Sequence, residues 1–369
     1  MDLKINPILI ITPDAPKLFY NDGMNAIEKA DRLRAQSRFA DAAGAYTGIL
    51  REKYSREAAM GLGHSWRMMG WFIQAKGAYE IVFCHEKDPL AKADALVGQA
   101  LCLKALADHG KALRLIGKAE AAYRNKDDDA GAAYALWARA TILRVAGDFR
   151  KALDAASEAL SMYEFYKDTE GRTYSHCALG GLERILGDYE ASGDHYAQAH
   201  ALAAKRGDIF AVSYTHCGLG NVHRMKGEFK QALKRFAAAE QGYAAIGDIV
   251  SFSYTLWSMG MTALFLKNFK TAESKFNRAL ENFEVTGDQR GSAYAYLGLA
   301  QMKMLKGKAA AQELKMARGL TKDLAIGWEA LMVRLVEAQD RPRAFNALRK
   351  EIAAYGSAWQ PKGFPINIP

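Results

Sequence analysis

The apolar positions of this chain follow the 3.6-residue period of a helix rather than the two-residue period of a strand. In Lys230–Tyr243, Ala232, Leu233, Phe236, Ala239 and Tyr243 fall at i, i+1, i+4, i+7 and i+11, one face of a helix. Comparable segments of about 17 residues, rich in the good helix formers Ala, Leu, Met, Lys and Glu, fill most of the chain. Between them runs a regular punctuation. Gly147-Asp148-Phe149 recurs as Gly187-Asp188-Tyr189, Gly227-Glu228-Phe229 and Lys267-Asn268-Phe269, 40 residues apart each time. Asp128, Asp168, Asp208, Asp248 and Asp288 keep the same step, as do Tyr134, Tyr174, Tyr214, Tyr254 and Tyr294.

Three series with one period mark an internal repeat. Gly147, Gly187, Gly227, Gly247 and Gly287 suit the left-handed residue that stops a helix, and the Asp that follows suits the cap of the next. Each unit is therefore predicted to be helix–turn–helix, its neighbour covering the face it cannot bury alone. Toward the N-terminus, Phe149 aligns with His109, Phe72 and Phe39, at steps of 40, 37 and 33 residues. Pro89 opens one helix of these shorter units. Toward the other end, Gly307-Lys308-Ala309 is a degraded mark, and Thr321–Asp340 with Arg341–Tyr355 read as a last, divergent pair. The expected fold is an all-α, right-handed solenoid of about nine antiparallel helix pairs over residues 21–355.

Composition agrees. Half of the 369 residues are hydrophobic, a quarter are charged and only 8 are Pro, which suits long helices with a large core. No apolar run approaches the roughly 20 residues that cross a membrane. Ile8–Ile11 is short and ends at Thr12-Pro13, so no secretory leader is expected. Four cysteines, Cys84, Cys102, Cys177 and Cys217, make no disulfide framework, and a cytoplasmic protein with free thiols is expected. The net charge is +9, and residues 301–369 hold 12 Lys/Arg against 6 Asp/Glu, which permits an anionic partner.

The repeat resembles the tetratricopeptide repeat. Leu219-Gly220, Gly227, Phe229, Ala232, Phe236 and Ala239 match its pattern in one unit, and Leu179-Gly180, Gly187, Tyr189, Tyr196 and Ala199 in the unit before; Leu62-Gly63 matches early in the chain. His176, His216, Glu183 and His223 depart from it. The 40-residue unit is similar to the long variant of Leu-Gly-Asn scaffold proteins and of bacterial peptide-sensing regulators. The resemblance implies a concave groove lined by the first helix of each pair. In its register one groove position reads Arg34, Arg67, Lys104, Arg144, Arg184, Arg224, Leu264, Met304. Lys and Arg are 50 of 369 residues, so six consecutive cations stand out. The neighbouring position includes Asp31, Asn221, Met261 and Gln301.

These residues point to a non-catalytic adaptor, scaffold or sensor that binds a protein segment, extended or helical and acidic, in its groove. Lys104, Arg144, Arg184 and Arg224 would select carboxylates through charge-assisted, in the Arg case bidentate, bonds. Asn221 would clamp a peptide backbone, and Met261, Leu264, Phe265 and Met304 would supply apolar contact. Tyr134, Tyr174, Tyr214 and Tyr254 would wall the groove or pack between repeats, with packing favoured. The competing expectation for the cations is that each pairs with an internal acid, as Glu183 beside Arg224. Nucleic-acid or nucleotide binding, and homo-oligomeric assembly through the ends, are the alternative functions.

No cofactor, metal or catalytic motif is expected. His176-Cys177 and His216-Cys217 are one repeat apart, which duplication explains without shared ligation. No phosphate-binding loop, zinc-protease helix or nucleophile elbow occurs. Residues 1–20 and 356–369 are apolar, proline-broken and outside the repeat. Both read as extended segments that cap the solenoid, or of which one lies in a groove and competes with a ligand.

Overall fold

The structure, a computed structural model, describes residues 25–324 and 326–369. The N-terminal extended segment expected at 1–20 lies outside the described residues. Eighteen helices form nine hairpins, and no strand occurs among the described residues. The early pairs are α1 (Ala26–Ala35) with α2 (Phe39–Glu52), α3 (Arg56–Met68) with α4 (Phe72–His85), and α5 (Pro89–Ala105) with α6 (His109–Arg124). The regular middle holds α7 (Asp129–Ala146) with α8 (Phe149–Phe165), α9 (Thr169–Leu186) with α10 (Tyr189–Arg206), α11 (Ile209–Lys226) with α12 (Phe229–Ile246), and α13 (Ile249–Phe265) with α14 (Phe269–Thr286). The last pairs are α15 (Gln289–Leu305) with α16 (Ala311–Asp323), and α17 (Gly327–Glu337) with α18 (Pro342–Ala354).

The punctuation works as its chemistry dictates. The side chains of Asp128, Asp168, Asp188, Asp208, Asp248 and Asp288 accept a backbone N–H at the start of the next helix. Gly147, Gly187, Gly227, Gly247 and Gly287 all take positive φ at a helix end. Equivalent turns without glycine adopt the same left-handed backbone at Ala107, Asp127, Lys167 and Lys267. One expectation needs correcting: Thr321–Asp340 is not a single helix. Helix α16 runs on to Asp323, and α17 starts only at Gly327, where a side chain would strike the hydroxyl of Tyr355.

Within each hairpin, small residues let the helices approach closely. Ala42, Ala75, Ala112, Ala152, Ala232 and Ala272 are completely buried on the second helices. Between hairpins, the ring of Tyr196 on α10 fills the space left by Gly218 on α11, where a Cβ would come within 2.3 Å of it. First helices also touch the next first helix, from α1 on α3 through α15 on α17, and no second helix touches the next second helix as closely. The first helices are therefore the tighter, inner layer, and the array curves around them.

The curvature is enough for separate coils to meet. The turn at Gly70 abuts Val250 and Thr286, and Phe149 packs edge-on against Trp328 with ring centroids 5.1 Å apart. Residues 356–369 then leave α18 and run back along the array without helix. Ser357 Oγ–H donates to the Ile185 carbonyl at 2.6 Å and the Ala358 N–H to the Leu186 carbonyl at 2.7 Å. Trp359 is buried against Trp328.

Gly187 links the turn chemistry to this segment. An alanine there or at Gly227 would be forced into left-handed backbone, at about 1–2 kcal/mol. Only at Gly187 would its Cβ also come within 2.7 Å of the Trp359 nitrogen; nothing lies near Gly227. Gly187→Ala is expected to lower the melting temperature more than Gly227→Ala, and to speed hydrogen exchange at the Ala358 amide. Equal melting points with unchanged exchange would contradict this packing.

Candidate functional site

The periodic column forms one row. Arg34, Arg67, Lys104, Arg144, Arg184 and Arg224 each stand in the last turn of an inner helix. That position places every cation near free helix-end carbonyls, which favour positive charge. The members sense one another: Lys104 lies in the field of Arg144 and Arg67, and Arg224 in that of Arg184. Phenols are interleaved with them. Tyr79 and Tyr134 flank Arg67, and the Arg144 guanidinium reaches over Gly181 toward the Tyr196 hydroxyl.

The expected internal neutralisation is confined to the flanks. Arg34 pairs with Asp31 at 3.4 Å, and Arg290, across the lumen from Lys104, pairs with buried Glu329 at 2.6 Å. Among the described residues no carboxylate lies within ion-pair distance of Arg67, Lys104, Arg144 or Arg184. Glu183 does not pair with Arg224; burial instead raises its pKa. Arg67 meets the His64 ring, whose Nδ1 is 3.3 Å away, and the Tyr79 hydroxyl. That ring is held neutral by burial and by Arg67 and Arg34. The Nε atoms of Arg67 and Arg184 are buried without a partner. Burial, and then Arg144, Arg67 and Arg290, pull the Lys104 ammonium down to about 7.

At Arg224 the character of the row changes. This side chain is fully buried, yet its partners are neutral oxygens. Nε and Nη2 donate to Asn221 Oδ1 at 3.2 and 3.1 Å, Nη1 donates to Asn367 Oδ1, and Nη2 donates to the Ile368 carbonyl at 2.9 Å. The Asn367 amide returns a bond to the Arg224 carbonyl at 3.1 Å, and the guanidinium stands over Trp257. Burial and Arg184 lower its pKa to about 9, so it stays charged at neutral pH. The Ile366 N–H donates to Gln301 Oε1 at 2.6 Å. Ile366 and Ile368 are wholly buried in the apolar cluster that contains Met261 and Leu264, with Met304 packed at its edge. The inner surface thus has an electropositive half and an apolar half, and the chain's own 356–369 segment fills the second.

Other sequence candidates lie elsewhere. Phe265 stacks on Phe229 with centroids 5.3 Å apart, at the junction of two repeats. Tyr174 and Tyr254 are packing residues rather than open walls, because their hydroxyls donate to Asp208 and Asp288 of the next turn at 3.0 and 3.3 Å. Tyr134 and Tyr214 border the cation row instead. Asn221 does not face an open peptide site; it holds Arg224 and the Cys217 carbonyl. His176 meets His195, and His216 meets Arg235, each within its own hairpin. A cleft of about 430 Å³ between α6, α7 and α8, lined by residues such as Leu136, Arg139 and Glu158, includes none of the row. Sequence reasoning missed Asn367 and Gln301 as a pair of main-chain and guanidinium partners. Gln301 had a signal, its periodic position; Asn367 had none.

No family model and no curated protein matches the sequence. Solved structures do match in shape. A Rap protein complexed with competence and sporulation factor superposes with a TM-score of 0.60 at 13% identity, over 89% of this chain and 98% of that one. NprR in complex with its cognate peptide NprX gives 0.60 at 13%, over 89% and 96%. Aspartyl phosphate phosphatase F from Bacillus subtilis gives 0.53 at 12%, over 91% and 94%. This chain has their fold. The likeness covers nearly the full array, and the helical-hairpin solenoid expected from the repeat is what the chain forms.

Lys104 has a checkable consequence. Its folded pKa lies below that of the unfolded chain, so the unfolded state binds more protons between pH 7 and the ordinary lysine range. Stability therefore rises with pH through that window. Lys104→Met is expected to stabilise the protein at pH 6 by about 1–3 kcal/mol, the scale of an unsatisfied buried polar group. The gain should shrink toward pH 10, as followed by thermal unfolding across pH. A gain that does not vary with pH would show that Arg67, Arg144 and Arg290 do not burden this ammonium.

Proposed function

We propose that the protein is a non-catalytic interaction module whose inner groove takes an extended peptide segment of a partner. The observation that carries this is the 356–369 segment, already held there without helix or strand. Its main chain bonds to Gln301 and Arg224, and its isoleucines sit in the apolar lining. A surface that holds one non-helical segment by main-chain bonds and apolar pockets suits another of the same kind. The complexes of NprR with its cognate peptide and of a Rap protein with competence and sporulation factor belong to the same fold and support this reading. An acidic preference, drawn from Lys104, Arg144, Arg184 and Arg224, fits the absence of carboxylate partners along most of the row among the described residues. Enclosure of the row by touching coils disfavours a nucleic-acid duplex as the partner.

The test uses a fluorescent peptide copying residues 362–369 and full-length protein. In the parent the groove is filled, so binding should be weak. Ile366→Asp with Asn367→Ala, which buries a charge in the apolar cluster and removes an Arg224 partner, should expel the resident segment and strengthen peptide binding by roughly tenfold, a loss of about 1.4 kcal/mol of competition. Adding Arg224→Ala should abolish the gain. Absence of binding to the expelled variant would remove the groove assignment.

A further inference from the structure

The two halves of the inner surface are filled unequally. The 356–369 segment carries one charged side chain, Lys362, and occupies the apolar half. The other half holds the partly buried Arg67, Lys104, Arg144 and Arg184 with no carboxylate partner among the described residues. Helix-end carbonyls offset part of the burial of each cation, by roughly 0.3–1 kcal/mol. They leave the Nε donors of Arg67 and Arg184 without an acceptor. Four partly desolvated cations, with Lys104 in the field of Arg144 and Arg67, are a site short of anions.

The row also has a spacing. Its cations come one per inner helix, on α3, α5, α7 and α9 in succession. Neighbouring packed helices stand roughly 8–10 Å apart. An extended polyproline-type chain has three residues per turn and rises about 3.1 Å per residue, so every third side chain returns to one side after about 9 Å. A compact dianion would meet at most two members of the row, whereas a ribbon with this repeat meets all four.

We propose that the electropositive half binds an extended acidic peptide whose carboxylates recur at every third residue, each engaging one cation of the row. This rests on the peptide-groove reading and adds the ligand's charge and register. Tyr79, Tyr134 and Tyr196, which border the cations, supply additional hydroxyl donors. The fully buried aromatic Tyr196 is fixed by packing against Gly180 and Gly218, so its hydroxyl is placed before a ligand arrives.

The experiment compares two synthetic peptides of identical composition, built from Glu, Pro and Ala, by fluorescence anisotropy with the full-length protein. One has a Glu at every third position and the other has its Glu residues adjacent. The spaced peptide is expected to bind at least about tenfold more tightly at near-physiological salt, where loose surface attraction is screened. Arg144→Ala with Arg184→Ala should erase the difference. As a control against misfolding, Arg144→Glu with Arg184→Glu should weaken the spaced Glu peptide and gain binding of its Lys counterpart. Equal affinity for both peptides, or a preference that survives the double alanine substitution, would overturn the proposal. Competition by inorganic pyrophosphate at concentrations well below those of the peptide would overturn it too, and would assign the row to a compact phosphate ligand. None of these results depends on the 362–369 peptide, so failure here and failure of the general groove reading can be told apart.

Discussion

A guanidinium buried without a carboxylate organises the inner surface of this protein. Taking a cation out of water is tolerated only when other dipoles replace the lost hydration. At Arg224 the replacements are Asn221, Asn367, the Ile368 carbonyl and the face of Trp257. Two of these come from a segment 143 and 144 residues away. The electrostatics of one side chain thereby fixes the path of the 356–369 segment, and that path closes the apolar half of the lumen. Where the row continues to Arg184, Arg144 and Lys104, no asparagine pair of this kind and no carboxylate meets the cations among the described residues.

Much of this was legible before any coordinates. The 40-residue period, the glycine stops and the aspartate caps are local chemistry repeated many times, so even weak signals reinforce one another. The cation column was readable for the same reason: one position sampled across six repeats stands above composition. Its pairing was not, because whether Arg144 meets an acid depends on neighbours contributed by separate helices.

Three features escaped the sequence for identifiable reasons. The left-handed turns at Lys167 and Lys267 carry no glycine, since the hairpin geometry imposes that backbone whatever the residue. The break between α16 and α17 falls where the repeat has decayed, and periodic reasoning loses its reference there. Asn367 belongs to no repeat, so nothing in the pattern pointed to its bond with Arg224. Local order is written redundantly in such chains, and long-range contacts are written once.

The meeting of coils at Gly70 and Val250 changes how an array of this kind should behave as a material. In an open solenoid each hairpin leans only on its neighbours, so stability is nearly one-dimensional and the ends unzip first. Here residue 70 is tied to residue 250, Phe149 to Trp328 and Gly187 to Trp359. Such ties across about 170 to 180 positions make unravelling of one end strain the other. Such contacts favour the all-or-none melting of a globular domain over unzipping from the ends, and distant contacts slow folding.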